Sequence, residues 1–308
     1  MKNARSFLRP MLAVMVIAMM SAAAFSGCIG KPVTPAPAGG ISAITPEDIE
    51  ALKSARYSRA SVIGENDVVV ASAENPFYAL IATPLAAYYE GGALKKVPLL
   101  VTNSGNTYPW IHTTPSITTE PTVYTDIGPV IRFLQAYQPS GAVMIGMDKI
   151  SATGTTTVAG QATPVTYNLA ATTAFVGDLT EVALKVAETY WSSAEAVILV
   201  EKDEKGYAEA VNAVAIASYL NVPVVPVGDV DTAIAERLSK LGVKYTITCG
   251  EVQVSAENAK KLGKMVRFPD VSGIANGVLS LAPKAEGDVP YVVLANPLDT
   301  YVPAVLDQ

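Results

Sequence analysis

Two loops hold the polar side chains best placed for binding chemistry, because each follows a run of branched apolar residues. The first loop contains Ser72, Glu74 and Asn75, and the second contains Lys202 and Asp203. Such runs are typical of buried parallel strands, and α/β sheets bind ligands at the carboxyl ends of these strands. Hydroxyl, amide, carboxylate and ammonium groups there can hydrogen-bond a ligand. The favoured alternative is a solvated turn whose side chains cap the following helix.

A segment rich in Thr and Pro, 103–128, offers a second kind of binding surface. Tyr108 and Trp110 lie in it, and exposed aromatic rings can stack on sugar rings. Long loops on a rigid scaffold often carry binding specificity. Because large aromatic side chains are usually mostly buried, packing of these rings over the core is the favoured alternative.

The chain lacks the residue patterns of the common catalytic and metal sites. It has no Gly-x-Gly-x-x-Gly, P-loop, Gly-x-Ser-x-Gly or His-Glu-x-x-His motif, and His112 is its only histidine. Cys249 ends an apolar run, which favours a small buried side chain over a catalytic thiol. Asp229 and Asp231 have a spacing found in calcium loops, but the rest of such a loop is missing, so helix capping is favoured. We therefore predict a protein that is not an enzyme and has no cofactor and no metal.

The elements that position the two strand-end loops form a unit that occurs twice. Each unit is a strand, a covering helix and a second strand, which together make a βαβ unit. The two helices align without a gap, from Ala79 with Ala210 to Tyr88 with Tyr219. Internal repetition indicates architecture more strongly than a single motif does. The first unit comprises 68–72, 79–89 and 98–102, and the second comprises 196–200, 207–219 and 223–228.

The repetition extends beyond the two βαβ units. A third strand follows in each, at 142–146 and 245–250, and both runs end in glycine. Near the end of the chain, residues 291–301 repeat the pattern of the first strand and its loop. We therefore expect 289–308 to be the start of an incomplete third module. The alternative is a strand that docks on the edge of the second module's sheet.

A helix start precedes the first unit, and an irregular stretch follows its third strand. Thr45 and Asp48 have the spacing of a helix cap, with a proline in the first turn, and we expect the helix to end near Arg56 and to cover an end of the first sheet. The stretch 153–172 is rich in Thr and Ala, which predicts a hairpin or a mobile loop.

The repeated units resemble a known family, the cell wall binding repeat 2 family. The run Ala73-Glu-Asn-Pro-Phe-Tyr-Ala-Leu, closing on Pro98-Leu-Leu-Val-Thr, is similar to its Gly-Glu-Asn-Phe-x-Asp-Ala-Leu turn and helix and its Pro-Ile-Leu-Leu-Thr strand. Residues 238–250 resemble the second half of that repeat, and 177–183 resemble its Gly-x-Asp-Arg-Tyr-x-Thr-Ala box. Tyr78 stands where the family prefers Asp.

The resemblance covers roughly residues 67–308 and implies both a fold and a role. The fold class is α/β, with tandem Rossmann-like (flavodoxin-like) modules whose mainly parallel sheets are covered by helices. We place the first module, with its loop insertions, at 41–192 and the second at 193–288. The implied role is non-covalent attachment to an envelope polysaccharide or to a surface-layer component.

The N-terminal residues predict export and lipidation. Residues 1–27 combine three basic residues with an apolar run too short to span a bilayer comfortably, which is typical of a signal peptide. Phe25-Ser-Gly-Cys28 resembles a lipobox, so we expect a lipid on Cys28. The Pro-rich segment 28–40 then predicts an extended tether that holds the folded part off the membrane. An uncleaved signal anchor is the alternative.

The charge balance limits the partners. The chain has 22 basic and 28 acidic side chains and a formal net charge of −6, and removal of the three bases in the leader leaves about −9. Phosphate binding needs a basic surface, so nucleic acid is not expected as a partner.

Three functions are compatible with these features. The first is a non-enzymatic, lipid-anchored cell-surface protein whose repeats attach to or organise envelope polymers or a surface layer, with the membrane as its partner at Cys28. The alternative is a solute-binding lipoprotein of an ABC-type transporter, although such lobes are usually linked by chain crossings rather than repeated in tandem. A surface hydrolase is a third and weaker hypothesis.

Overall fold

The computed structural model describes residues 40–102, 128–158 and 161–282. Eight helices lie within these residues, and none of them is long and apolar enough to cross a membrane. Helices α1 to α8 span Pro46–Lys53, Phe77–Ala86, Gly128–Tyr137, Leu179–Tyr190, Glu204–Leu220, Thr232–Lys240, Ala256–Lys261 and Val271–Leu281.

The strands of the same residues are short, and most belong to two parallel sheets. Strands β1 to β17 span Ser42–Ala43, Tyr57–Arg59, Val68–Ser72, Ala87–Glu90, Ala93–Lys96, Leu99–Thr102, Ala142–Ile145, Lys149–Val158, Gln161–Ala170, Thr173–Phe175, Trp191–Ala194, Ala196–Glu201, Val224–Val227, Asp229–Val230, Tyr245–Cys249, Gln253–Val254 and Lys264–Arg267.

The two parallel sheets order their strands in the same way. The first sheet runs β10-β7-β3-β6, and the second runs β1-β17-β15-β12-β13. If β1 is set aside and the strands of each sheet are numbered by their order in the sequence, both sheets have the strand order 4-3-1-2. All of the pairings in both sheets are parallel. The α/β class with mainly parallel sheets is therefore confirmed, whereas tandem Rossmann-like modules stay a prediction.

The predicted βαβ elements lie close to their expected positions, with one helix shorter than expected. The strand at 68–72 matches β3, and the aligned residues Ala82 and Ala213 lie in helices and are fully buried. The prediction that the first helix continues to Tyr89 is wrong, because it ends at Ala86 and the chain turns into β4. Gly91 and Gly92 adopt positive φ angles and return the chain as β5 in an antiparallel hairpin.

The N-terminal helix forms as its cap predicts but packs elsewhere. The Thr45 side chain accepts a hydrogen bond from the Asp48 N–H, and the Asp48 side chain caps Thr45 in return. The expectation that this helix covers the first sheet is wrong. Strand β1 pairs with β17 at the edge of the second sheet, and α1 packs against α8. A salt bridge from Lys264 to the nearly fully buried side chain of Asp48 ties α1 to this sheet.

Alternating residues of the first sheet enter two different clusters of buried side chains. Val69 and Ala71 belong to a large cluster that also contains residues of α2, of α4 and of the strands of the second sheet. Val68 and Val70 face a smaller cluster that includes Leu134 of α3. The interior between the two sheets is therefore continuous and apolar.

Residues 149–158 and 161–170 form the hairpin that the sequence allows. Strands β8 and β9 pair antiparallel from Lys149 with Ala170 to Val158 with Gln161. The signal peptide, the tether and the start of a third module fall on residues 1–39 and 283–308, outside the described residues.

Candidate functional site

The polar side chains after β3 serve the local backbone. The Ser72 hydroxyl accepts a hydrogen bond from the Glu74 N–H at 3.3 Å, and the side-chain Oδ1 of Asn75 accepts one from the Phe77 N–H at 3.0 Å. Ser72 is almost fully buried and Glu74 is exposed. This loop is therefore a turn held by its own side chains, as the favoured alternative expects, but the N-cap residue of α2 is Pro76, which forms no side-chain cap.

The two predicted residues after β12 have different roles. The Asp203 carboxylate caps α5 by accepting a hydrogen bond from the Gly206 N–H at 2.6 Å. The Lys202 side chain is exposed, and its ammonium group forms no salt bridge within the described residues. Lys202, like the exposed Glu74 after β3, is thus a predicted site residue whose charge is available for a ligand.

Three predicted residues lie outside the described residues. They are the lipidation candidate Cys28 and the aromatic residues Tyr108 and Trp110.

The first sheet closes its own topological switch point with a tyrosine. The crevice between β3 and β7, where neighbouring strands lead the chain in opposite directions, is the usual ligand site of an open parallel sheet. Gly146 follows β7 with φ +79°, and a Cβ atom there would stand 2.4 Å from the Tyr78 ring. The Tyr78 hydroxyl also lies 3.5 Å from the Gly177 carbonyl oxygen. The ring therefore occupies the place that a ligand would need.

The second sheet closes the corresponding crevice, between β12 and β15, with a glutamate. Gly250 follows β15 with φ +78°, and a Cβ atom there would stand 2.6 Å from Cβ of Glu201 and 2.9 Å from Cα of Gly206. The Glu201 carboxylate accepts a hydrogen bond from the Glu251 N–H. The Gly250 N–H donates to Glu209 at 2.8 Å. Both crevices are thus filled by side chains of the protein.

A cavity of about 340 Å³ lies beside these strand ends, on the α4 and α6 side of the second sheet. It opens between the first turn of α4, the residue after β12, the residue after β13 and the first turn of α6. Its lining residues are Asp178, Thr180, Glu181, Leu184, Lys202, Gly228, Asp229, Asp231, Ala233, Ile234 and Arg237.

Most of the charged groups around this cavity are already engaged. Asp178 and Asp231 cap α4 and α6 through hydrogen bonds from backbone N–H groups. Arg237 donates to Glu181 at 2.6 Å. Among the residues that line the cavity, the charged groups without an ion pair or a hydrogen bond within the described residues are the Lys202 ammonium and the Asp229 carboxylate. The cavity therefore presents one free donor group and one free acceptor group to solvent.

The hydroxyl that lines the cavity is engaged in a hydrogen bond, and the cysteine thiol of the second sheet is buried. The Thr180 hydroxyl donates to the Pro226 carbonyl oxygen at 2.9 Å, so it is held in a buried bond. Cys249 is buried, and burial raises the pKa of its thiol far above the ordinary value. The described residues contain no cluster of His, Cys, Asp and Glu suited to a metal ion.

Sequence reasoning found only part of the cavity. It selected Lys202, and it noted the box at 177–183 and the caps Asp229 and Asp231 without joining them. The structure brings these elements together because α4 precedes the second sheet and packs against β13. Gly228 and Arg237 were missed. For Gly228, the available signal was its position directly after a buried strand.

No family model, no curated protein and no solved structure matches this chain.

Proposed function

We propose that this chain is a non-enzymatic, lipid-anchored cell-surface protein that attaches to an envelope polysaccharide through tandem Rossmann-like repeats. The observation that carries the proposal is the closure of both switch-point crevices, together with an open, mixed-charge cavity beside one of them. Attachment to a polymer needs a surface that a long chain can cross, and it does not need an enclosed pocket.

The closed crevices argue against a nucleotide or another enclosed small ligand. Such ligands bind in α/β sheets where glycines let the backbone approach a phosphate. Here Gly146 and Gly250 make room for Tyr78 and Glu201 instead. These two glycines therefore serve the packing of the protein's own side chains.

The cavity suits one sugar unit of a polymer. Its volume of about 340 Å³ lies at the lower end of the roughly 300–1,000 Å³ typical of small-ligand sites. Sugar hydroxyls both donate and accept hydrogen bonds, so they can satisfy Lys202 and Asp229 together. Because Gly228 and Asp229 are exposed at the rim, neighbouring units of the polymer can extend past the cavity.

The solute-binding alternative is supported by one observation and opposed by another. The chain does cross between the sheets, since β1 and α1 join the second sheet before β3 begins the first. A solute-binding protein, however, needs a cleft between lobes that can open. Here α2 packs against α5 and β13, and the rings of Phe77 and Tyr207 meet edge to face at 5.2 Å. This packing favours a rigid body.

The proposed lipid at Cys28 and the tether at 28–40 give the repeats their location. Flexible or extended linkers of this composition separate a domain from its anchor. One end of the protein would then be held in the membrane while the cavity reaches the polymer above it.

Co-sedimentation with polysaccharide from delipidated, protease-treated envelopes of the source cells tests this function. The wild-type protein should bind saturably, and the double variant Lys202→Ala/Asp229→Asn should bind at least about tenfold more weakly, which corresponds to roughly 1.4 kcal/mol. Lys95→Ala, an exposed lysine on β5, is the matched control and should bind as the wild type does. Binding only to envelopes that keep their proteins would point to a surface-layer protein instead. A small solute that co-purifies in a one-to-one ratio would support the transporter alternative.

A further inference from the structure

Among the described residues, one edge strand of the first sheet lacks the cover that its counterpart in the second sheet has. Strands β6 and β13 are the second strands of the two sheets and occupy the same edge position. All four residues of β13 are buried, since α2 and α4 pack against it. In β6, Val101 is 48% exposed and Leu99 and Leu100 are only partly buried.

The cover on β13 comes from helices of the other sheet. Helix α2 follows the first strand of the first sheet, and α4 follows its fourth strand. Both helices also line the large cluster of buried side chains that the two sheets share. The internal contact therefore joins two helices of one repeat to the edge strand of the next.

The helices at the corresponding positions of the second sheet are α5 and α8. Helix α5 follows β12, and α8 follows β17 and packs against α5. Like α4, helix α8 begins at an aspartate cap, with Asp270 accepting a hydrogen bond from the Gly273 N–H at 2.7 Å. No described segment covers its outer side, where Val271 is 41% exposed and Leu279 is 59% exposed.

The composition of these two surfaces is compatible with contact. Neither Val271–Leu281 nor Leu99–Thr102 contains a charged residue. Exposed helices normally carry charges on the solvent side, as α6 does with Glu236 and Lys240.

We infer that the protein associates head to tail, with α8 of one copy covering β6 of a second copy. This contact between molecules would repeat the contact that α2 and α4 make with β13 inside one molecule. It rests on the equivalence of the two sheets and not on the glycan site. Because the two surfaces differ, the contact is heterologous and can propagate into rings or chains. An array of this kind would bind a polymer through several cavities at once.

Two single variants and their mixture test this arrangement. Val101→Asp blocks the strand surface and leaves α8 intact, and Leu279→Asp does the reverse. By sedimentation velocity, the average mass of the wild type should rise above that of a dimer with increasing concentration. Each variant alone should stay monomeric, whereas an equimolar mixture should form a one-to-one dimer and stop there. Leu94→Asp, at a leucine that is 47% exposed on β5, is the control and should associate as the wild type does.

Cross-linking provides a second measurement, which does not place a charged residue in the contact as the aspartate variants do. In a Cys28→Ser background, copies with Val101→Cys and copies with Leu279→Cys should form mixed disulfide dimers under mild oxidation, and neither should do so with itself. A wild-type chain that stays monomeric at every concentration, or a mixture of variants that neither dimerises nor cross-links, would overturn the inference.

Discussion

The Nε–H of Arg59 donates a hydrogen bond of 2.6 Å to Oδ1 of Asn221, the residue that ends α5 in a left-handed conformation with φ +53°. The same guanidinium donates to the Pro84 carbonyl oxygen at 2.7 Å. It lies between two aromatic rings, 4.0 Å from the centroid of Trp191 and 4.1 Å from that of Tyr88. Burial lowers the pKa of Arg59 to about 10, so it stays charged at neutral pH. One cation thereby fastens β2, β4, β11 and the end of α5 together.

Arg59→Ala should lower the free energy of unfolding by about 3 kcal/mol, because it removes two charge-assisted hydrogen bonds and two cation–π contacts. Urea denaturation followed by circular dichroism measures this loss. Arg56→Ala removes an exposed arginine three residues away and should change the stability by less than about 0.5 kcal/mol. Equal effects of the two substitutions would mean that the buried guanidinium contributes nothing specific.

Gly146→Ala should destabilise the protein by about 3 kcal/mol, since the new methyl group meets the Tyr78 ring in a backbone conformation that alanine rarely adopts. Thermal unfolding is the readout. Gly92→Ala is the matched control, because Gly92 has a similar φ of +81° but no atom near its Cβ position, so its cost should be only about 1 kcal/mol. If the two variants melt at the same temperature, the crevice is not filled by Tyr78.

Acid should remove the contribution of the Glu188–Arg237 pair to stability. The Arg237 guanidinium forms two hydrogen bonds with Glu188, at 2.6 and 2.7 Å, and holds the pKa of that carboxyl below its ordinary value of 4.5. A carboxyl whose pKa is lowered by folding stabilises the folded state above its unfolded pKa and loses this effect as the pH falls below it. The destabilisation caused by Glu188→Gln should therefore be largest near neutral pH and should fade below about 4.5.

Chemical denaturation at several pH values between roughly 3 and 7 measures how the destabilisation by Glu188→Gln depends on pH. Glu74→Gln replaces an exposed glutamate that has no salt bridge within the described residues and should leave the stability unchanged throughout. A cost of Glu188→Gln that grows on acidification would contradict the assignment.

Cys28→Ser should release the protein from the membrane. The lipobox-like run 25–28 predicts that Cys28 carries the lipid, so the variant should move to the aqueous phase in detergent partitioning and should lose the mass of the acyl chains. Membrane association and a mass that match those of the wild type would remove the lipid from the proposal.

The fold was largely predictable because its strands are continuous apolar runs and its helices have clear caps. The strand at 68–72 and the capped start of α4 at Asp178 are local signals that the structure keeps. The docking of β1 on the second sheet was not predictable, since two residues carry no pattern and their partners, Val266 and Arg267, lie far along the chain. The end of α2 at Ala86 was missed because the glycines that shape the hairpin lie five residues further on.

The candidate site was predictable only in pieces. Lys202 follows a recognisable strand, and the box at 177–183 marks the start of α4. Lys202 and this box lie side by side because α4 packs against β13. That contact joins residues that the sequence places in different modules. The Arg59 cluster was equally hidden, because the aromatic residues and the asparagine that surround it are scattered along the sequence.

Amide chemical-shift mapping with polysaccharide fragments from delipidated envelopes tests the central claim most directly. The amide resonances of Lys202 and of residues 178–181 and 228–231 around the cavity should shift progressively as the fragment concentration rises. The amide resonances of Gly146 and Gly250, where the crevices are filled, should not shift. Shifts centred on those two glycines, or no shift at any residue around the cavity, would contradict it.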